Sequence, residues 1–364
     1  MDASLVFCGD TMLAAGCLAA DPFARVREII QDADFAFCNL ETSLATRTAA
    51  VEKRHVLISA PENLEFLTHC GFELVNLANN HILDQGLAGG LRTIEVVKNQ
   101  GLKIIGLQEQ GRSKAVVLER AGMKVGFLGY ADYGFQSAFM PLKERVALAD
   151  VAELRQKVDC VVVSLHWGFE YVEYPCPSQQ AFARRLIDAG AQLIIGHHPH
   201  VMQGIEEYRG GLIAYSLGNF QFKIDLGEEY LNSGTGMILR VRLSPAGALR
   251  YEAIPLGSSR TGLVERSQAE RAHLDQERID RLSRAVNGAK IGWLFWLKNA
   301  SRIYFPMQLE AWRFRIQKFG GSHRLRLLFW LLKPINFWML FFYLFASRGV
   351  SEPGASFRGA DQGQ

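Results

Sequence analysis

The sequence predicts an α/β fold, a sandwich of short buried strands alternating with amphipathic helices, followed by a C-terminal region of different character. Three observations carry this expectation. Seven short apolar runs bounded by Gly, Asp or Asn recur before residue 200, as strands buried on both faces do. Helical segments separate many of them, and β-α alternation favours a layered α/β domain over an all-β one. After residue 286 the composition turns basic and aromatic: five of the six tryptophans lie there.

In chain order, the strand signals are Ser4–Cys8, Phe35–Cys38, Leu74–Leu77, Lys103–Ile105, Val125–Tyr130, Cys160–Leu165 and Leu193–Ile195. Helices are expected at Pro22–Gln31, Pro61–His69, Leu87–Asn99 and Ser178–Ala189. The last has Ser178 as a candidate N-cap and Phe182, Leu186 and Ile187 on one face. Leu212–Tyr215, Gly236–Leu243 and Leu249–Pro255 read as antiparallel additions, the last two joined by a Pro-Ala-Gly turn. These elements place a catalytic body at residues 1–257. Residues 258–286, rich in charges of both signs, read as a polar linker or solvated helix. Residues 287–346 read as basic, aromatic-rich membrane-associating helices, and 347–364 as a disordered tail.

The 364 residues are 49% hydrophobic and 21% charged, which excludes a disordered chain. The net charge of +3 conceals an asymmetry. From Asn287 onward there are eleven Lys/Arg against three Asp/Glu, whereas the preceding part is slightly acidic. The six cysteines, Cys8, Cys17, Cys38, Cys70, Cys160 and Cys176, form no Cys-x-x-Cys pair and mostly lie in or beside apolar runs. They read as buried free thiols suited to a reducing compartment. No basic n-region or long apolar stretch precedes Gly9-Asp10, so no secretory signal is expected.

The chemistry is concentrated at the ends of the expected strands. Asp10 follows one, Asn39 and Glu41 a second, Asn79, Asn80 and His81 a third, His166 a fourth, and His197, His198 and His200 a fifth. In an open α/β sheet the C-terminal strand ends converge on one crevice, so these side chains should meet. Carboxylate, amide oxygen and imidazole together suit hard and borderline divalent cations. A carboxylate touching two ions would hold them ~3.5–4 Å apart, the separation used in two-metal hydrolysis. A lone Asp or Asn at a strand end is more often a cap or turn former; it is the repetition over five strands that points to a site.

The ordered motifs are Gly9-Asp10, Asn39-Leu40-Glu41, Asn79-Asn80-His81-x-x-Asp84-x-Gly86, His166-Trp167-Gly168-x-Glu170-Tyr171, Gly196-His197-His198-Pro199-His200 and Tyr215-Ser216-Leu217-Gly218-Asn219-Phe220. Over roughly residues 4–255 this set resembles the CapA family of capsule and poly-γ-glutamate synthesis, within the calcineurin-like metallophosphoesterase superfamily. The resemblance implies a metallophosphoesterase-like α/β/β/α sandwich and two divalent metal ions (Mn, Fe, Zn or Mg). It implies Asp10 as ligand of the first metal, Glu41 as the bridge, Asn80 and His166 on the second, and His198 and His200 one on each. His81 would stabilise or protonate the leaving group, with Asp84 orienting it. Asn39, Asn79, Trp167, Glu170, His197 and Asn219 fall in the substrate or supporting shell. One departure stands out: the superfamily usually opens Asp-x-His, whereas Asp10-Thr11-Met12 puts a thioether, a poor ligand for hard ions, at the third position.

The implied role is hydrolysis of a phosphoester or related bond in cell-surface polymer production. Amide hydrolysis, such as cleavage of a γ-glutamyl link, is the chemical variant. The alternative is a non-catalytic scaffold in a membrane-bound polymer synthase. The substrate would be an anionic polymer or phosphorylated compound and the partners synthase subunits, with no nucleic acid. Leu327–Ala346 is a twenty-residue apolar run whose only charge is Lys333, preceded by basic residues. Its length matches a bilayer core, so membrane association with the body on the cytoplasmic side is expected. Lys333-Pro334 interrupts the run, leaving a kinked span, a re-entrant piece and an interfacial helix all open.

Overall fold

The computed structural model describes residues 2–13, 21–44, 55–132, 138–222, 234–258, 263–288, 291–319 and 322–345. Cys17 and the expected tail at 347–364 lie outside the described residues. The chain forms two compact units, the first spanning Met1–Trp293 and the second beginning at Leu294.

The first unit is built on two mixed sheets. Across the first, the strand order is Val264–Arg266, Leu249–Ser258, Thr235–Leu243, Ala3–Thr11, Phe35–Leu40, Leu74–Asn76 and Lys103–Ile105, with Asn219–Gln221 pairing beside Ala3–Thr11. The last four of the path run parallel, and the first three are antiparallel additions. The second sheet runs Ile205–Tyr208, Gly211–Ala214, Leu193–His197, Cys160–His166, Met123–Ala131 and Val116–Arg120. Its four central strands are parallel and its two edge strands antiparallel. Gly211–Ala214 therefore corrects the expectation for Leu212–Tyr215: it lies parallel to Leu193–His197 and antiparallel only to its hairpin partner.

Alternation of side chains along each strand separates two cores. Leu5, Phe7, Phe35 and Phe37 of the first sheet share a buried cluster with Val125, Phe127, Val162 and Ile195 of the second. Val6, Cys8, Ala36 and Cys38 point the other way, into a layer with Ile30, Leu67 and Val97 from the helices Arg27–Gln31, Glu65–Cys70 and Gly86–Asn99. On the second sheet, Leu154 of helix Glu144–Leu154 lies over Gly126, and Ile187 of helix Pro177–Asp188 lies over Gly211. Pro177–Asp188 begins one residue before the expected cap. Cys176 is the N-cap, Pro177 occupies the first turn, and Gln179 closes a capping box onto the Cys176 N–H, 3.0 Å.

Ala269–Asn287, expected as a solvated helix or linker, is a helix with one buried face made by Ile279, Leu282 and Val286. It covers the edge strand Ile205–Tyr208. Ser283 Oγ accepts from the Ile205 N–H at 3.0 Å, and Asn287 Nδ2 donates to the Ile205 carbonyl at 2.9 Å. Blocking an exposed strand edge removes a template for aggregation. The polar composition hid this face, because three apolar positions in nineteen suffice to dock it.

Cys8, Cys38, Cys70, Cys160 and Cys176 are free and buried. Burial pushes the Cys70 and Cys160 thiols up to about 12. These groups stay protonated and act as small apolar core residues.

Candidate metal centre

The parallel strands of both sheets end on one rim, and the local backbone explains how ligands reach it. The pairing between Ala3–Thr11 and Phe35–Leu40 shifts register between Cys8 and Asp10. This irregularity turns the strand at Gly9, the kind of bulge that re-aims a side chain beside a site. Only glycine fits there: a Cβ on Gly9 would fall 2.0 Å from the Gly218 carbonyl oxygen. Gly196 has the same role ahead of the histidine cluster, its Cβ position being 1.8 Å from the Tyr215 carbonyl oxygen. Beyond it the chain is strained, with His198 at φ 95° and His200 at φ 56°. Non-glycine residues avoid that region, and where they adopt it the cost is held by surrounding structure, commonly at functional sites.

The gathered side chains are almost wholly buried: Asp10, Glu41, His166 and His197 have no exposure, and His198 and His200 have 3% each. Donor atoms of Asp10, Glu41 and His166 lie within 4.8 Å of one another, and so do those of Glu41, His198 and His200. Glu41 belongs to both groups. Its Oε1 is 3.5 Å from His166 Nε2, 3.7 Å from His200 Nε2 and 3.9 Å from His81 Nε2. Asp10 Oδ1 is 3.5 Å from His197 Nδ1, and Asp10 Oδ2 is 3.4 Å from His200 Nδ1. These separations exceed ordinary hydrogen bonds. The 3.5 Å between Glu41 Oε1 and His166 Nε2 matches two atoms sharing one ion: bonds of ~2.1 Å at ~90–120° put two ligand atoms roughly 3.0–3.6 Å apart. The donor set therefore fits divalent cations.

Hydrogen bonds orient the ring nitrogens. Asn219 Oδ1 lies 2.9 Å from His200 Nδ1 and takes its proton, leaving the Nε2 lone pair toward Glu41. Asn39 Nδ2 donates to Asp10 Oδ1 at 2.8 Å and lies 3.2 Å from His166 Nδ1. His166 Nε2 is 3.0 Å from Asn80 Oδ1, which brings Asn80 to the same group. The His198 N–H donates to Asp10 Oδ2 at 3.1 Å. Burial works against ionisation of Asp10, but His197, His200 and Asn39 outweigh it and hold the carboxyl below its usual range. Burial, reinforced by His198, His197, His200 and His81, keeps His166 well below its ordinary pKa and therefore neutral, as a metal ligand must be.

His81 forms a second feature on the same rim. Its Nδ1 is 2.6 Å from Asp84 Oδ2, which also accepts from the Leu57 N–H at 2.8 Å. With Nδ1–H held by Asp84, Nε2 faces the site. Asn79 is structural: Nδ2 donates to the Leu40 carbonyl and Oδ1 accepts from the His81 N–H, fixing that turn.

Other expected site residues fall elsewhere. Trp167 packs in the interior, stacked on Tyr215 and edge-on to Phe182, with Nε1–H donating to the Tyr215 carbonyl at 3.1 Å. Its backbone N–H donates to the His197 carbonyl, which ties it to the strand that carries the histidine cluster. Glu170 is half-buried in the following loop. Met12 is half-buried, its N–H donating to the Gln221 carbonyl.

The sequence profile described as bacterial capsule synthesis protein PGA_cap matches residues 4–223. The chain belongs to that family. Over 253 residues it is 31% identical to the capsule biosynthesis protein CapA of Bacillus anthracis, covering 64% of this chain and 60% of that one. Over 247 residues it is 31% identical to the PGA biosynthesis protein CapA of Bacillus subtilis (strain 168), covering 64% of each. The chain thus spans about three fifths of the length of these relatives. A solved structure described as a novel phosphatase from Mycoplasma pneumoniae is 15% identical and aligns with a TM-score of 0.47 over 71% of this chain and 94% of that one.

Two features of this capsule-synthesis family member escape the motif reading. Asn76 ends the Leu74–Asn76 strand, and its Nδ2 donates to Asn39 Oδ1 at 2.9 Å, fixing the amide that touches both Asp10 and His166. An asparagine closing an apolar strand just before Asn79-Asn80 was the available signal. The helix Ala269–Asn287, beyond the matched segment, holds the loop after His166. Arg278 Nη2 donates to Glu173 Oε1 at 2.6 Å, and Arg281 Nη1 to the Tyr174 hydroxyl at 2.9 Å. Nothing in the spacing of these residues announced that contact.

Proposed function

We propose that this chain is a metal-dependent hydrolase of capsule, poly-γ-glutamate or related polymer synthesis, with two divalent ions bridged by Glu41. The observation that carries the reading is the pair of buried donor groups that overlap at Glu41. Asp10, Asn80, His166, His198 and His200 complete the set, and Asn39, Asn76 and Asn219 orient it. Bound ions of this kind lower the pKa of water and neutralise charge on phosphoryl oxygens. The chain's own residues do the rest. His81, held by Asp84 and protonated at Nε2, donates that proton to the leaving-group oxygen. The buried walls keep bulk water from the ligands, which strengthens every electrostatic contact inside. Substrates in this reading are anionic polymers or phosphorylated intermediates, and synthase subunits are the partners. The body works at the cytoplasmic face of a membrane, a reading supported by its buried free thiols and basic C-terminal region.

The test is metal content together with turnover of a generic phosphodiester in the presence of Mn²⁺. The intact protein is expected to retain metal and turn over substrate, and the double variant His198→Ala/His200→Ala to do neither. A double variant that keeps both properties rejects the reading.

One observation favours a second reading, a binding or scaffold subunit: Met12 stands where a ligand histidine is usual. If Asp10→Ala restores polymer production in a strain lacking the protein, the scaffold reading holds and the hydrolase reading fails.

A further inference from the structure

The second unit carries an apolar face with no counterpart in ordinary soluble helices. Helix Pro334–Phe345 is apolar almost all round. Asn336 and Met339 are buried on one side, where Asn336 Nδ2 donates to the Trp330 carbonyl at 2.8 Å. Tyr343 joins that side, its ring 5.6 Å from Phe305, which in turn stacks on Trp330. The opposite side, at positions 337, 338, 341 and 344, presents Phe337, Trp338, Phe341 and Leu344. Together with Phe329 and Leu332 of the preceding turns, these six are 43–68% exposed. A helix normally turns such residues inward, and a contiguous exposed patch of this kind marks an interaction site.

The charges around the patch select its partner. Arg313, Lys318, Arg326 and Lys333 are exposed, and Glu310 is the one acidic residue between Trp293 and Phe345. A second copy would bring the same positive charge against this one. A soluble polyanion would meet the charges but leave the aromatic face in water. A surface that is apolar beneath and anionic at its rim satisfies both, and that is an anionic phospholipid leaflet. Length then fixes the mode. The apolar stretch is divided at Lys333-Pro334 into helices of ten and twelve residues, Ser322–Leu331 and Pro334–Phe345. At 1.5 Å per residue they reach ~15–18 Å, against ~30 Å of hydrocarbon. Among the described residues no helix is long and apolar enough to cross a membrane.

We infer that Phe329, Leu332, Phe337, Trp338, Phe341 and Leu344 form an interfacial docking surface for anionic lipid, entering one leaflet without spanning it. This deepens the membrane part of the proposed function and is independent of the metal centre. The test is flotation of the full chain with vesicles of phosphatidylcholine alone or mixed with phosphatidylglycerol. The intact protein floats with the anionic vesicles and is released from them by alkaline carbonate. The exposed-face double variant Phe337→Ser/Phe341→Ser lowers partitioning by about tenfold or more. The variant His198→Ala/His200→Ala floats unchanged, which separates this result from failure of the hydrolase reading. Several results would each overturn the inference: equal partitioning of the Phe337→Ser/Phe341→Ser variant, retention through the carbonate wash, or a dimer that the same variant dissolves while vesicles bind neither form.

Discussion

Glu41→Ala is expected to strip the protein of metal at both positions and to lower turnover of a generic phosphodiester on the order of 10³-fold, the scale seen when a main electrostatic contributor is removed. The reason is the overlap: Asp10 and His166 form one donor group with Glu41, and His198 and His200 form the other. Deleting any peripheral ligand leaves one group whole, but deleting the shared carboxylate breaks both. Stability offers an independent readout. Glu41 and Asp10 are buried carboxylates facing one another's imidazole neighbours across the site, so added cation should stabilise the fold. At one hundred times its Kd a single ion adds about 2.7 kcal/mol. The intact chain should therefore melt higher with Mn²⁺ than with chelator, and Glu41→Ala should melt at the same temperature in both. A variant that keeps its metal-dependent shift would show that Glu41 is not the bridge.

Gly196→Ala is expected to be the most destabilising single methyl addition near the site, costing about 3 kcal/mol or more. The new Cβ would lie 1.8 Å from the Tyr215 carbonyl oxygen, and that neighbour is backbone, unable to rotate aside. Relief requires the strand Leu193–His197 to move away from the segment before Gly218, which displaces His197 and His198. Gly257→Ala is the matched control, because no atom lies within 4 Å of its Cβ position. Urea denaturation should show a large loss for the first and little change for the second. Similar midpoints for the two would mean that close approach at Gly196 does not hold the histidine turn in place.

Much of this architecture was legible because buried parallel strands advertise themselves. Val-Val-Val-Ser-Leu-His and Leu-Ile-Ile-Gly-His show both the strand and the ligands at its end. Elements that depend on distant partners were not legible. Asn219–Gln221 is a strand only because Ala3–Thr11 runs beside it. Helix Glu144–Leu154 has a weak apolar stripe, with the buried Asp150 tied to Arg112 and Tyr130 within it. Val116–Arg120 is a half-exposed edge strand paired in a hairpin to Met123–Ala131, with Leu118 alone buried. At the site, residue types were readable but pairings were not. That Asn76 holds Asn39, and that Asn219 turns Nε2 of His200 toward Glu41, are facts of three-dimensional neighbourhood. The long apolar run near the C-terminus shows another limit: its length and the break at Lys333-Pro334 were both readable, but which of its side chains face outward was not.

The central claim is that Glu41 lies between two cations. Crystals grown with Mn²⁺ and measured by anomalous scattering at the manganese edge test this most directly. The account predicts two peaks about 3.5–4 Å apart, with a Glu41 oxygen between them, one beside Asp10 and His166 and the other beside His198 and His200. A single peak away from Glu41, or none at saturating Mn²⁺, would contradict it.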